Sequence, residues 1–138
     1  MTSFVLDASV ALAWCFDDES TPAAWALLER LRTAPGHVPA LWGLEIANIL
    51  LGAEQRRRIT RARTAEFLEI LTDLDLRVDA DLPGRAFRDV MPLARERRVT
   101  TYDAAYLELA LRLGLPLATK DKALARAAAE IGIRTLAA

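Results

Sequence analysis

The sequence predicts an α/β protein in which helices cover both faces of a parallel sheet. The short run Phe4-Val5-Leu6, apolar throughout, reads as a strand buried on both sides, and Leu117-Ala118-Thr119 reads as another strand. Longer segments with helical apolar spacing lie between them, and that alternation is the pattern of a parallel sheet. A chain of 138 residues, 53% hydrophobic and 27% charged, suits one compact domain over residues 1–138 with a core large enough to fold alone.

Taken in order, Phe4-Val5-Leu6 is a strand that stops at a carboxylate, Asp7, and Ala8 to Phe16 follows as a helix. Ser20-Thr21-Pro22 supplies a cap and a proline at the first helical position for the amphipathic run Ala23 to Leu31, which Pro35-Gly36 is expected to end. Val38 and its neighbours can form a short second strand. Leu41 to Ala53 is an almost wholly apolar helix interrupted by Glu45 and Asn48, and that composition predicts burial on most sides. Thr64 to Leu74 reads as a helix, Leu76-Arg77-Val78 as a third strand, and Pro83 to Arg97 as a helix kinked or divided at Pro92. Thr100 or Thr101 caps a helix through Leu113 that Gly114 ends. Leu117-Ala118-Thr119 is a strand, Lys122 to Ile131 a helix, and Ile133 to Leu136 a last strand. The sheet therefore has four to five strands, and the chain shows no internal repeat, low-complexity segment or linker.

Charge and composition remove several classes of function. Eighteen Lys and Arg against 19 Asp and Glu leave a net charge of -1, so the molecule as a whole casts no strong field toward nucleic acid or membrane. Any nucleic-acid surface must be local. The basic residues cluster at Arg56, Arg57, Arg58, Arg61 and Arg63 and again at Arg95, Arg97 and Arg98, runs that are more often solvated helix faces than binding sites. Cys15 is the only cysteine and His37 the only histidine, which excludes an internal disulfide and a zinc cage of the usual Cys/His kind. The first residues carry no basic or long apolar leader and no apolar run reaches membrane-spanning length, so a cytoplasmic location away from membranes is expected.

Four acids stand where ligands of a hard cation would. In an open parallel sheet, ligands bind beyond the carboxyl ends of the strands, near the point where strand order reverses. Asp7 directly follows the first strand and Asp121 follows Leu117-Ala118-Thr119 by one lysine, so both reach one edge if those two strands are neighbours. Glu45 interrupts an apolar helix with no Arg or Lys within a helical turn, and a carboxylate so placed needs a partner, either a distant arginine such as Arg98 or a metal ion. Asp103 opens the apolar stretch Ala104-Ala105-Tyr106-Leu107. Each acid also has a plain structural reading: Asp7 and Asp121 as helix N-caps, Asp103 as the third residue of a capping arrangement with Thr100. Taken together, four carboxylates with His and Cys nearly absent fit Mg²⁺ or Mn²⁺ better than four unrelated caps.

The segments Val5-Leu6-Asp7-Ala8-Ser9, Leu44-Glu45-Ile46-Ala47-Asn48, Thr101-Tyr102-Asp103-Ala104-Ala105-Tyr106 and Leu115-Pro116-Leu117-Ala118-Thr119-Lys120-Asp121 resemble, in this order, the PIN-domain family, and specifically its VapC-like toxins. The resemblance spans nearly the whole chain and implies a PIN-like α/β/α sandwich around a parallel sheet. It implies a Mg²⁺ or Mn²⁺ centre held by Asp7, Glu45, Asp103 and Asp121, with Asp7 and Asp103 as primary ligands, and hydrolysis of RNA by metal-activated water. Ser9, Asn48 and Thr119 match small polar positions that orient the acids in that family; they read equally well as cap or interior polar residues. The resemblance further implies a homodimer and a cognate VapB-like antitoxin whose tail crosses the acidic cleft. Trp14, Phe16, Trp25 and Trp42 are candidates for a groove or dimer contact, although aromatic residues at helical spacing are more often core.

Two other readings compete. A non-catalytic PIN-like module that binds RNA or a partner would keep the fold without the chemistry, and the presence of all four acids argues against it. A phosphoacceptor receiver domain would need an adjacent acidic pair after an early strand, and Asp17-Asp18 lie too far past Asp7 to be that pair.

Overall fold

The computed structural model describes residues 2–138. Five strands, β1 (Phe4–Leu6), β2 (Gly36–Pro39), β3 (Leu76–Asp79), β4 (Leu117–Ala118) and β5 (Thr135–Leu136), form one sheet in the order β3-β2-β1-β4-β5. Every pairing is parallel. The helices are α1 (Ala8–Ala13), α2 (Pro22–Arg30), α3 (Trp42–Gln55), α4 (Arg61–Thr72), α5 (Leu82–Arg85), α6 (Met91–Arg97), α7 (Thr101–Leu113) and α8 (Lys122–Glu130). The arrangement is the α/β/α sandwich that the alternating pattern predicts.

The chain leaves β1 toward β2 on one side and returns to β4 on the other, so strand order reverses at β1. Val5 pairs with Leu117 and Leu6 with Ala118. Asp7 and the residues just past β4 therefore share the edge where open parallel sheets bind their ligands. Phe4, Val5 and Leu6 are fully buried, as the all-apolar run requires of a central strand. Edge strand β3 is only partly covered.

Several boundaries differ from expectation for identifiable reasons. The first helix stops at Ala13 rather than Phe16: the chain turns at Trp14 and Cys15, and all three side chains from Trp14 to Phe16 stay in the core, with the Trp14 indole donating to the Ala24 carbonyl at 2.8 Å. Pro35-Gly36 does not end α2, which closes at Leu31; Gly36 is already the first residue of β2, and a Cβ there would come within 2.9 Å of the Leu31 and Leu76 side chains. Helix α4 begins three residues earlier than Thr64 because Thr60 is its cap, its side chain accepting from the Arg63 amide at 3.1 Å. The Pro83 to Arg97 segment divides into α5, a π-helical turn (Ala86–Val90) and α6, with Pro92 in the first turn of α6.

The largest correction concerns α3. Only Trp42, Ile46, Leu50 and Ala53, a stripe of helical period, are buried, while Leu44 is 77% and Leu51 55% exposed. Apolar composition all round does not mean burial all round here, because α3 faces α4 across an open groove of about 640 Å³ walled by Trp42, Ile46, Leu50, Leu68 and Leu71. Of the four large aromatic residues considered above, Trp14 and Phe16 are core, Trp42 lines this groove, and Trp25 is partly exposed.

Candidate metal centre

Asp7 occupies the N-cap position of α1, yet its side chain makes no capping hydrogen bond. Its Oδ2 instead accepts from Ser9 Oγ at 2.7 Å and from Thr119 Oγ1 at 2.6 Å. Both hydroxyls are engaged on their other side: Ser9 Oγ accepts from the Lys120 amide at 2.9 Å and Thr119 Oγ1 from the Asp121 amide at 3.0 Å. These bonds tie the end of β1 to the end of β4 and hold one oxygen of a carboxylate that is only 7% exposed. Burial pushes the Asp7 carboxyl above its ordinary range; Thr119, Ser9 and the Ala8 backbone offset part of that, and the charge of Asp121 adds to it.

Glu45 arrives from α3 and is half-buried. Among the described residues it pairs with neither Arg98 nor any other arginine; its Oε1 accepts from the Tyr106 hydroxyl of α7 at 2.5 Å. Burial raises its carboxyl, the Tyr106 hydrogen bond opposes the rise, and the charges of Asp7 and Asp103 add to it. Tyr106 is 1% exposed, and burial together with Asp7 and Glu45 pushes its phenol far above the ordinary tyrosine value, so it remains a proton donor. Tyr106 falls within a segment that the sequence singles out, but spacing alone assigned it no task. Its signal is its position three residues after Asp103, one turn along the same helical face.

Asp103 stands in the first turn of α7, where its amide, not its carboxylate, bonds the Thr100 cap at 3.1 Å. Burial raises its carboxyl, followed by the charges of Asp121 and Asp7, with no compensating hydrogen bond. Asp121 is the exposed member and does cap a helix: Oδ1 accepts from the Ala123 and Leu124 amides at 2.9 and 3.1 Å. Capping and ligation are compatible, since a carboxylate has two oxygens. Asn48 is exposed on α3 and, among the described residues, makes no hydrogen bond to any of the four acids.

The electrostatics of the cluster ask for a cation. Among the described residues none of the ion pairs includes Asp7, Glu45, Asp103 or Asp121. The nearby Lys120 turns its Nζ to the Glu19 carbonyl instead. Mutual repulsion without a basic partner, presented by oxygen donors alone, fits a hard divalent cation such as Mg²⁺ or Mn²⁺. Among the described residues no three acidic, His or Cys side chains already close around one point.

The arginine cluster is partly committed to structure. Arg58 lies over the Phe16 ring at 4.0 Å and bonds Asp18 and Glu19 at 2.8 and 2.7 Å, and Arg63 reaches the Trp14 and Cys15 carbonyls at 3.5 and 3.4 Å. Asp17-Asp18 thus lie on a 3-10 turn (Asp17–Glu19) with Asp18 paired to Arg58, which is no place for a phosphoacceptor pair.

Against known proteins, the family model described as PIN domain matches residues 4–130. Ribonuclease VapC3 of Pyrobaculum aerophilum is 29% identical over 121 residues, 88% of this chain and 91% of that protein. Among solved structures, PAE2754 from Pyrobaculum aerophilum superposes with a TM-score of 0.70 at 23% identity, covering 97% of this chain and 83% of that one. A chain from the structure of VapBC2 from Rickettsia felis, bound to a DNA fragment from their promoter, gives 0.64 at 10% identity and covers 98% of both. At these identities the two structures establish a shared fold.

Proposed function

The chain belongs to the PIN-domain family, and from that premise we propose that it is a VapC-like toxin: an endoribonuclease, dependent on Mg²⁺ or Mn²⁺, that hydrolyses RNA phosphodiester bonds. The observation that carries the reading is a set of carboxylates, three of them raised chiefly by burial and further by neighbouring acids, that among the described residues have no basic side chain paired to them. Asp7, Glu45, Asp103 and Asp121 would hold the ion. When bound, a divalent ion supplies water of lowered pKa and neutralises charge on the phosphodiester. The chain's own part is to keep the ligands in place. Ser9 and Thr119 fix one oxygen of Asp7, while the first turn of α7 carries Asp103 and the N-cap of α8 is Asp121.

The same reading extends to partners and place. The names of VapC3 and VapBC2 support a VapB-like antitoxin as the cognate partner. Exposed apolar residues on α3 and α4, Leu44, Leu51 and Leu68 among them, support a homodimer or another protein contact. No described helix is long and apolar enough to cross a membrane, and a cytoplasmic toxin acting within one domain over residues 1–138 is consistent with that.

Incubation of the purified chain with total RNA tests the activity. Discrete fragments are expected with Mg²⁺ and none with EDTA. Outer partners of metal ligands are typically worth 10–100-fold, so loss of a ligand itself in Asp7→Asn or Asp103→Asn should lower cleavage by at least about 100-fold. Undiminished cleavage in both variants would overturn the site. RNA that stays bound but intact with wild type and Mg²⁺ would identify a non-catalytic binding module instead.

A further inference from the structure

We propose that Tyr106 is a positioning residue for the divalent cation, holding Glu45 where its carboxylate can serve as a ligand; this rests on the metal-dependent reading above. Nothing on α3 does that work. Glu45 shares its side of the helix with Leu44 and Asn48, both exposed, and neither they nor any described basic residue bonds its oxygens. A glutamate has three freely rotating side-chain bonds and, left alone at a solvent-facing edge, would sample many of its rotamers. The one described contact that stops it comes from another element, the Tyr106 hydroxyl at 2.5 Å.

That donor is well suited to the task. Tyr106 belongs to the main buried core and is 1% exposed, so its ring is confined by packing and cannot follow a wandering carboxylate. It sits one turn below Asp103 on the same helix, which means α7 delivers a candidate ligand at the mouth of the site and, one turn deeper, the hydroxyl that aims another. Asp7 has its own pair of hydroxyls in Ser9 and Thr119. Tyr106 is to Glu45 what they are to Asp7. A hydrogen bond that merely satisfied a buried phenol would leave metal affinity untouched when removed; one that orients a ligand would not.

Mn²⁺ affinity of the full chain, read from free Mn²⁺ by electron paramagnetic resonance, separates the two across wild type, Tyr106→Phe, Glu45→Gln and the double variant. The expected result is about a tenfold weaker Mn²⁺ complex for Tyr106→Phe. No further loss is expected when Tyr106→Phe is added to Glu45→Gln, because the hydroxyl acts through that carboxylate. Equal affinity of Tyr106→Phe and wild type overturns the proposal, as does a full tenfold loss in the Glu45→Gln background. Wild type that binds no Mn²⁺ defeats the metal reading itself, and this with it. Should Tyr106→Phe fail to fold, the chain has only two tyrosines, Tyr102 and Tyr106. Ring resonances of labelled wild type then report directly: Tyr106 should shift on titration with Mg²⁺, and resonances that do not move at saturation overturn the proposal.

Discussion

Asp7 and Asp121 both occupy N-cap positions, and only one of them caps. The difference lies in partners: two hydroxyls from Ser9 and Thr119 draw the Asp7 carboxylate away from the α1 amides, whereas the Asp121 carboxylate accepts from both Ala123 and Leu124. Substitution can therefore separate capping from charge. Asn is as good an N-cap as Asp, while Ala costs about 1 kcal/mol. In EDTA both variants lose the charge that repels Asp7 and Asp103, so Asp121→Asn should melt at or above wild type and Asp121→Ala below Asp121→Asn, while both should bind Mn²⁺ more weakly; equal melting of the two variants would mean the cap contributes nothing. Asp103 allows a test of sign. Its folded carboxyl lies above the ordinary value, first through burial and then through Asp121 and Asp7. A raised carboxyl contributes stability that is fully present below its unfolded pKa and is lost as pH rises through the folded value. In metal-free buffer, Asp103→Asn should thus match wild type only below the ordinary aspartate value, at about pH 3, and outmelt it by a few degrees at about pH 7, a gain of the size common when a functional charge is removed, about 1 kcal/mol. A gap that closes as pH rises would show that Asp103 is held by a favourable contact.

At the scale of elements, the opposite sign appears where β3 meets α7. Arg112 bonds Asp79 at 2.6 and 3.2 Å and Glu108 at 2.9 and 3.1 Å, joining the edge strand to the long helix. Burial alone would raise the Asp79 carboxyl, but the Arg112 hydrogen bonds overcome it and hold it below the usual range, so its share of stability is present above the unfolded pKa and is lost as pH falls through the folded one. Arg112→Ala leaves the largely buried Asp79 without an ion-pair partner and Glu108 with Arg85 alone, and should cost about 3 kcal/mol, or on the order of 10 °C in melting temperature. A loss under one degree would show the network to be replaced by solvent. Only the Glu108–Arg112 step has a spacing that marks it, four residues along one helix; Asp79 lies 33 residues from Arg112 and nothing in the sequence ties it to them. What sequence does convey is local or topological. Wholly apolar Phe4-Val5-Leu6 could only be a central strand, and Thr100, Thr21 with Pro22, and Gly114 mark helix ends by their backbone chemistry. The four acids were visible as carboxylates at element ends. That Asp7 and Asp121 reach one edge depended on β1 pairing with β4, which the strand order supplies. Tyr106 as the partner of Glu45 needed α7 to pack beside α3, and the open face of α3 needed the groove to α4; apolar composition reads the same whether a side chain is covered by this chain or left for another.

For the molecule as a whole, the net charge of -1 conceals an uneven distribution, with repelling acids gathered at one edge and arginines spent partly on Asp18, Glu19, Glu108 and Asp79 elsewhere. The energy of that repulsion is stored in the folded state and absent from the unfolded chain, where the four acids are far apart. An ion that binds only the folded state recovers it as stability. If Mg²⁺ binds with a dissociation constant on the order of 1 mM, about 10 mM contributes roughly 1.4 kcal/mol by mass action, which for a chain of this size is a rise of about 3 to 6 °C in melting temperature. Ionic strength must be matched with a monovalent salt, since general screening also relieves repulsion among exposed charges. Asp103→Asn starts higher without metal and loses a ligand, so its response to Mg²⁺ should be the smaller of the two. Paired thermal melts of both proteins, with and without Mg²⁺, read the two effects at once. Wild type that gains nothing from Mg²⁺, together with Asp103→Asn melting below it in EDTA, would mean that these carboxylates stabilise the fold on their own terms and that the edge between β1 and β4 is not built to hold an ion.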